Sequence, residues 1–546
     1  MIGDQFRRAR HRALLGVCAV GAICLAAPIT AQEGEQSSVR RDVRTPLESA
    51  RAQGAPPNIV IIYADDLGYG DVSAYGANRV RTPHIDALAR RGVQFTDGHS
   101  QAATCTPSRY ALLTGEYGFR AQAEILPGDA PALIRPGKVT LPSVLQGQGY
   151  ATAAVGKWHL GLGDGKVDWN GKVRFGPNDI GFGYSYLIPA TADRVPTVFL
   201  ENGRVDGLAG GDRVAVSYKG KIGSRPVGRE SPDKVRYPGD DQHSDSIVNG
   251  VSRIGYMDGG KSAEWIDEEF PDVLLGKARS FMEANRDRPF FLYFAAPEPH
   301  VPRLPARQFQ GATQMGPRGD TIVQFDWIVG QIWDQLERLG LEKDTIVIVS
   351  SDNGPVLDDG YADFAVELLG DHAPSGPWRG GKYSAFEAGT RVPTVLAWHG
   401  TVRPRVSTAM VSQVDLLATL ACGVAGATLP RDAAIDSREQ SAAWLGRDDT
   451  GRDTMVTESV TGLAIRDGSL KYLAPMRNPS QAAFVEGKGI ESGASPRPQL
   501  YDLSSDPGEN ADLSRQRPKD VERMQALLRA EQSRTVSMAE TGNCRE

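Results

Sequence analysis

Two segments, far apart in the chain, share one design. Ile59–Tyr63 is a short, continuous apolar run rich in β-branched residues that ends at Asp65 and Asp66. Ile346–Val349 is a second such run, followed at once by Asp352 and Asn353. A strand with apolar side chains on both faces must be covered on both faces, the situation of strands in a parallel sheet flanked by helices. "ATAAVG" (151–156) and "PFFLYFAA" (289–296) read as further buried strands. "HIDALARRG", "PSVLQGQG", "DVLLGKARSFMEAN" and "IVGQIWDQLERLG" carry helical spacing or end on a glycine stop. Strand and helix thus alternate through residues 57–430. This predicts a large α/β domain with a mainly parallel central sheet and helices on both faces.

Beyond that point the pattern changes. "TMVTESV", "GLAIRDGSLKYLAP" and "QLYDLSSDPGE" read as short strands with turns, and "PKDVERMQALLRAEQ" as a closing helix. Residues 431–546 are therefore expected to form a smaller α+β domain with a short antiparallel sheet. The segment 201–262 is rich in Gly and charge and poorly periodic, an insertion of the kind that shapes a substrate entrance.

The first residues are a processing signal and not part of the fold. Arg7, Arg8, Arg10 and Arg12 precede the apolar run Ala13–Ala27, Pro28 breaks it, and small residues end it at Ala31. The run is shorter than the roughly 20 residues a membrane-spanning helix needs. Residues 1–31 therefore read as a cleaved secretory signal peptide and 32–56 as a polar, mobile lead-in. The expectation is an exported protein, periplasmic or extracellular, with no stable membrane anchor. A formal net charge of −6 gives no broad basic field, so nucleic acid is not an expected partner. Cys18 and Cys24 leave with the leader. Of the remaining cysteines, Cys422 and Cys544 can pair or Cys422 can stay buried and free, and Cys105 has no evident mate.

Ligands of an open parallel sheet bind beyond the carboxyl ends of its strands, where Asp65, Asp66, Asp352 and Asn353 fall. Carboxylates meeting in a closed site repel, and a divalent cation turns that cost into a gain. An all-oxygen donor set suits Ca2+ or Mg2+ and not zinc. The competing reading makes these four residues ordinary turn residues. Cys105 stands in "TCTPSRYALLTG" (104–115), with Pro107 suited to the first turn of a helix, so the cysteine meets a helix N-terminus. Free cysteine is commonly a small buried apolar residue. A protease-type nucleophile is the other alternative, and it would need a histidine base and would leave the acidic residues unexplained.

With these segments together the chain resembles the sulfatase family, the formylglycine-dependent sulfate ester hydrolases, over roughly residues 57–525. Cys105-Thr106-Pro107-Ser108-Arg109 matches the family's Cys-x-Pro-Ser-Arg signature, followed by "LLTG". The resemblance implies that a formylglycine-generating maturation enzyme of the export pathway oxidises Cys105 to Cα-formylglycine. "ADDLGYGD" and "SSDNG" resemble the two metal-binding turns, giving metal roles to Asp65, Asp66, Asp352 and Asn353, with the side chain of residue 105 as a further ligand. "VGKWHLG" brings Lys157 and His159 into the site, "PEPHVP" brings His300, and "WRGGKYSAFEAGTRVP" brings Lys382. "LIPATAD" lies where relatives carry a hydroxyl residue, here Thr191. The resemblance also implies the alkaline-phosphatase-like fold and a Ca2+ cofactor, with Mg2+ as the alternative.

The chemistry so implied is attack on sulfur by a hydroxyl of hydrated formylglycine, a transiently sulfated enzyme, and release of sulfate as His159 takes a proton from the second hydroxyl. Lys157, Lys382 and the cation clamp the sulfate oxygens, His300 protonates the departing alcohol, and Arg109 holds the formylglycine and a metal ligand. The expected substrate is a sulfated sugar or an aryl sulfate, with Asp193 and Arg194 as selectivity residues and Trp169, Tyr184 and Trp378 as rings able to stack on a sugar or to fill the core. His84, His99 and His243 are assigned core or capping roles. The alternatives are a phosphodiesterase or phosphonate monoester hydrolase of the same superfamily, and a non-catalytic binder of sulfated glycans in which Cys105 stays a thiol.

Overall fold

The computed structural model describes residues 56–476, 479–535 and 544. The leader and the lead-in up to residue 55 lie outside the described residues. Ten strands form the main sheet: β1 (Asn58–Ala64), β2 (Val93–His99), β3 (Ala151–Lys157), β4 (Tyr184–Ile188), β5 (Leu200–Glu201), β6 (Arg204–Val205), β7 (Phe290–Ala295), β8 (Thr345–Ser351), β9 (Thr394–Ala397) and β10 (Arg405–Ser412). Their order is β10-β2-β9-β8-β1-β7-β3-β4-β5-β6. The central five, β8-β1-β7-β3-β4, are mutually parallel. β9 runs antiparallel to both neighbours, and β5 and β6 finish one edge as an antiparallel hairpin.

The β-branched runs do what their composition requires. Ile59, Ile61 and Tyr63 share a core with Tyr110, Leu112 and Leu113 of α2 (Cys105–Thr114) and Leu141 and Leu145 of α3 (Leu141–Gly147). Val60 and Ile62 point to the opposite face and are as fully buried, so both faces of β1 are covered. Each such side chain contributes on the order of 1.5–3 kcal/mol by leaving water. The helices α1 (Pro83–Arg91), α4 (Phe270–Ala284) and α5 (Gly316–Arg338) form a second group, with α5 packed against both of the others. β2 and β10 were not evident as continuous apolar runs. Their faces alternate or mix in Ser, Thr and Asp, because each is only partly covered.

Register aligns the strand ends. Ala64 pairs with Ser351, Tyr63 with Ala295, Ala295 with Gly156, and Lys157 with Ile188. The residues that follow each strand therefore emerge side by side along one edge: Asp65 and Asp66, Asp352 and Asn353, Glu298 to His300, His159, and Thr191 to Arg194. Backbone bonds hold this edge, including Asp352 N–H to the Ala64 carbonyl at 3.2 Å and Asp65 N–H to the Glu298 carbonyl at 2.9 Å.

A four-stranded antiparallel sheet follows, β11 (Thr454–Ser459), β12 (Gly462–Asp467), β13 (Leu470–Leu473) and β14 (Gln499–Asp502), together with α6 (Pro479–Gly487) and α7 (Pro518–Ser533). Val456, Ile465, Tyr472, Leu500, Met524 and Leu528 pack with Ala111 of α2 and Tyr117 just beyond it. The cysteine-bearing helix is thus enclosed between two sheets, and all ten of its residues are buried. Cys422 and Cys544 form a disulfide with Cα atoms 5.2 Å apart, which resolves the pairing left open by sequence. No helix among the described residues is long and apolar enough to cross a membrane.

Glu298 is a buried carboxylate on the strand-end edge. Its Oε1 accepts from Gln324 Nε2 at 2.7 Å and its Oε2 has no hydrogen-bond partner among the described residues. Burial pushes its pKa up to about 7. The native state then binds a proton that the unfolded chain has lost, so this group's contribution to stability is present below the ordinary carboxylate range and falls as pH rises toward 7. Glu298→Gln, measured by chemical denaturation at stepped pH, is expected to flatten the decline between about pH 4.5 and 7 by on the order of 2–3 kcal/mol.

Candidate active site

Three carboxylates crowd the sheet edge. Asp65, Asp66 and Asp352 are each at most 1% exposed. Burial, with Asp352 and Asp66 beside it, pushes the Asp65 carboxyl well above its ordinary range despite the opposing Lys157. The compensating cations come from three separate places. Arg109 donates from Nε and Nη2 to Asp352 Oδ2 at 2.9 and 2.7 Å and from Nη1 to the Lys157 carbonyl at 3.2 Å. The Lys157 ammonium bonds Asp65 Oδ2. Lys382 Nζ reaches Asp66 Oδ2 at 2.9 Å.

The donor set tests whether a metal would fit. Asn353 Nδ2 donates to Asp66 Oδ1 at 2.7 Å, which leaves Asn353 Oδ1 without a hydrogen-bond partner among the described residues; Asp65 Oδ1 is in the same condition. Ligand atoms of Asp65, Asp66 and His300 lie within 4.8 Å of one another. Two orphaned buried oxygens beside crowded carboxylates suit a hard, oxygen-seeking cation. Asp66 adopts φ 66°, a left-handed backbone rarely taken by a residue with a Cβ, and it aims the carboxylate back into the cluster.

Cys105 is the first residue of α2, where the sequence reading had put it just ahead of the helix. Its Sγ is 3.1 Å from His159 Nδ1. His159 Nε2 lies 2.9 Å from the Leu126 carbonyl. A carbonyl can only accept, so Nε2 carries the proton and Nδ1 is left as an acceptor facing residue 105. Burial and the neighbouring Lys157 and Arg194 hold the His159 pKa well below its ordinary value, which keeps the ring neutral. His159 too has a left-handed backbone, φ 54°. Burial pushes the Cys105 thiol up, the opposite of what a thiolate nucleophile needs. His159 is the histidine that a protease-type nucleophile would need, but the crowded carboxylates have no place in that alternative.

A cavity of about 590 Å³ opens at residue 105. Cys105, His159, His300, Lys382, Asp193 and Arg194 line it. His300 Nδ1 bonds the Val301 carbonyl at 2.6 Å, leaving Nε2 on the side of Asp66 and Asp359 at 3.8 and 3.9 Å. Thr191 is not in the wall. Its hydroxyl accepts from Arg194 Nη1 at 2.6 Å, fixing the guanidinium that is. Lys157 and Arg109 are buried in the carboxylate cluster and not in the cavity wall. The hydrogen bonds of Arg109 go to Asp352, Lys157 and Tyr293 and not to Cys105.

Several wall residues escaped sequence reasoning. Asp359 accepts from Lys382 Nζ at 2.8 Å and from the Tyr383 hydroxyl at 2.9 Å, and Lys488 Nζ is 3.2 Å away. Against the cost of burial, Lys382 and Lys488 hold its carboxyl well below the usual range. His243, assigned a bland role above, lines the cavity between Asp193 Oδ2 at 3.2 Å and Asp240 Oδ1 at 2.7 Å. Against burial, the two aspartates lift its pKa to about 9. The cluster of acids around it in "GDDQHSD" is the signal that could have found it. The irregular segment 201–262 supplies Tyr218, Gln242, His243 and Ile254 to the wall, as expected of an entrance-forming insertion. The proposed stacking rings lie elsewhere: Trp169 is in the core, Trp378 packs on Tyr69 and Arg391, and Tyr184 stacks on Phe281 of α4.

Residues 57–424 match the Sulfatase family model, and the chain belongs to the sulfatase family. It is a sulfuric ester hydrolase with the alkaline-phosphatase-like architecture. The chain is 46% identical over 481 residues to N-acetylgalactosamine-6-O-sulfatase of Bacteroides thetaiotaomicron, covering 88% of this chain and 93% of that one. It is 32% identical over 491 residues to human arylsulfatase A, covering 87% and 86%. A solved structure from work on the metabolism of multiple glycosaminoglycans by Bacteroides thetaiotaomicron superposes with a TM-score of 0.86 at 46% identity, covering 88% of this chain and 100% of that one.

Arg109 is fully buried, and its removal would strand Asp352. Arg109→Met is expected to lower stability by about 3–5 kcal/mol in chelator-treated protein, measured by urea denaturation. Arg109→Lys should recover only part of this, because one ammonium cannot reproduce the guanidinium's simultaneous grip on Asp352 and the Lys157 carbonyl.

Proposed function

We propose that this sulfatase hydrolyses sulfate monoesters of sugars, with Cys105 matured to Cα-formylglycine and a divalent cation, Ca2+ or Mg2+, held by Asp65, Asp66, Asp352 and Asn353. The observation that carries the reading is the meeting of Cys105, His159, His300 and Lys382 on one cavity beside a buried carboxylate cluster with two unpartnered oxygens. Identity to a relative named for N-acetylgalactosamine-6-O-sulfate supports a carbohydrate substrate. The disulfide Cys422–Cys544 supports an oxidising compartment and hence export, in line with the leader.

The cation would supply positive charge against the sulfate oxygens and the crowded carboxylates. A hydrated formylglycine would supply an oxygen nucleophile with a second hydroxyl on the same carbon; Cys105 Sγ stands in for that oxygen. The chain's own residues perform the rest. His159 Nδ1 is the acceptor for a proton leaving residue 105, its orientation fixed by the bond to Leu126. Lys382 places an ammonium at the cavity wall, held there by Asp359 and charged because Asp359 and Asp66, against burial, raise its pKa well above the ordinary value. His300, with its Nδ1–H donated to the Val301 carbonyl, turns Nε2 into the cavity. Burial, with Lys382 and Lys157 beside it, holds its pKa well below the ordinary value, so Nε2 would carry a proton for the departing alcohol only once the anionic ester is bound beside it. Asp193, Arg194 and His243 form a charged wall that would read the sugar.

Sulfate release from defined sulfated mono- and disaccharides, alongside an aryl sulfate and a phosphate diester, tests the assignment. Turnover of a sulfated sugar is expected, with loss of full turnover in Cys105→Ala and an aldehyde at residue 105 in mass spectra of the native protein. Turnover of phosphate diesters or aryl sulfates alone would overturn the carbohydrate reading, and an unmodified thiol in a protein that binds but does not cleave sulfated glycans would favour a binder.

His300→Ala separates the acid role from structure. A sugar sulfate has a poor leaving group and should lose about 10²–10⁴ in kcat. An activated aryl sulfate, whose leaving group needs little protonation, should lose much less. Equal losses on both would remove the proton-donor role.

A further inference from the structure

Helix α6 carries residues of the C-terminal region to the mouth of the cavity. Its buried residues, Ala482 and Val485, anchor it. Gln481 and Phe484, three positions apart, fall on one face of α6, Lys488 follows in the turn just past its end, and all three line the cavity. Phe484 is 41% exposed although it sits in a concave wall. Its ring meets Tyr383 edge-on, with centroids 5.2 Å apart at 75°.

Lys488 completes the patch. Its ammonium lies 5.2 Å from the Phe484 ring centroid and 3.2 Å from Asp359 Oδ1. Asp359 is already engaged by Lys382 at its other oxygen and by the Tyr383 hydroxyl. One carboxylate thus stands between two ammonium groups, and the second neighbour of Lys382, Asp66, belongs to the proposed metal site. Two ammonium groups against one carboxylate leave one positive charge in this part of the wall, and Lys488 meets Asp359 at the oxygen that Lys382 leaves. A flat apolar ring beside such a cation suits a pyranose ring bearing an anionic group.

We propose that the α6 face is an outer subsite that takes the sugar next to the sulfated one and selects a neighbour carrying a carboxylate or a second sulfate. The inference rests on the carbohydrate sulfatase reading above. Phe484 provides the surface on which the neighbouring sugar lies, and Lys488 pairs with its anion. The substrate class is then an acidic, sulfated oligosaccharide and not an isolated sulfated sugar.

The test uses the full-length matured enzyme with four substrates sharing one sulfated sugar: the monosaccharide, and disaccharides whose second sugar is neutral, a uronic acid, or sulfated. Wild-type kcat/KM is expected to favour the acidic disaccharides over the neutral one by about tenfold, the size of one partly desolvated charge pair. Lys488→Gln should bring that ratio close to one, and Lys488→Arg should keep most of it. Phe484→Ala should lower kcat/KM for all three disaccharides relative to the monosaccharide. The two acidic arms distinguish a carboxylate reader from a sulfate reader. No acidic preference in the wild type, or ratios unchanged in both Lys488→Gln and Phe484→Ala, would overturn the outer subsite. Absence of sulfate release from every member of the series would instead sink the carbohydrate reading beneath it.

Discussion

The architecture turns on like charges held where they repel. Asp65, Asp66 and Asp352 are buried together at the carboxyl edge of the sheet because the parallel register of β1 and β8 leaves no other place for them. Two charges about 4 Å apart cost roughly 4 kcal/mol at an effective dielectric of 20. The fold answers with Arg109 from α2, Lys157 from the end of β3, and Lys382 from the loop before β9. Each cation is itself buried and would be costly alone. The carboxylates and the cations therefore need one another, and the segments that carry them must be fixed relative to the sheet. Two oxygens without a hydrogen-bond partner among the described residues, Asp65 Oδ1 and Asn353 Oδ1, remain after this cancellation.

Charge balance also explains why the second sheet is joined so tightly to the first. Arg109 reaches Asp352 only if α2 lies flat against β1, with its outer side exposed to water unless something covers it. Val456, Ile465, Leu500 and Met524 cover it. The Ala103 N–H bonds the Glu458 carbonyl at 2.7 Å and the Tyr383 N–H bonds the Ala103 carbonyl at 2.7 Å, so the turn before Cys105 is held from the C-terminal sheet on one side and from the Lys382 loop on the other. The residue at which the chemistry is proposed to occur is thereby positioned by three distant parts of the chain.

Much of this was legible in the sequence where a local rule had a local cause. β1, β3, β7 and β8 announced themselves because both their faces are covered, while the shorter buried strands β4 and β9 went unread; the acidic pairs follow β1 and β8, where parallel strands place ligands. The helices α1, α3, α4, α5 and α7 fell where periodicity and stops put them. β2 and β10 did not, since one-sided burial lets Ser, Thr and Asp into the run. Asp359 and Lys488 were invisible for a different reason. They meet each other, and Asp359 meets Lys382, across long stretches of chain that no spacing links. The short helix α6, with only two buried residues, left no apolar stripe to read.

The burial of α2 constrains how the site could be completed. Cys105, Thr106, Pro107, Ser108 and Arg109 are all buried, Cys105 at 2% exposure and Ser108 and Arg109 at none. Ser108 Oγ is bonded to the Ala102 carbonyl at 2.9 Å and accepts from the Ala102 N–H at 3.0 Å, while Arg109 is locked on Asp352. A maturation enzyme that reads this five-residue motif needs the side chains that the finished fold has already committed. Reopening them would mean detaching α2 from both sheets and stranding a buried ion pair, a cost of several kcal/mol. The oxidation of Cys105 proposed above would therefore have to come before α2 packs. That ordering would follow from geometry: the five residues are open together only while the chain is unfolded, and in the fold Cys105 alone of the five lines the cavity while the other four are packed away.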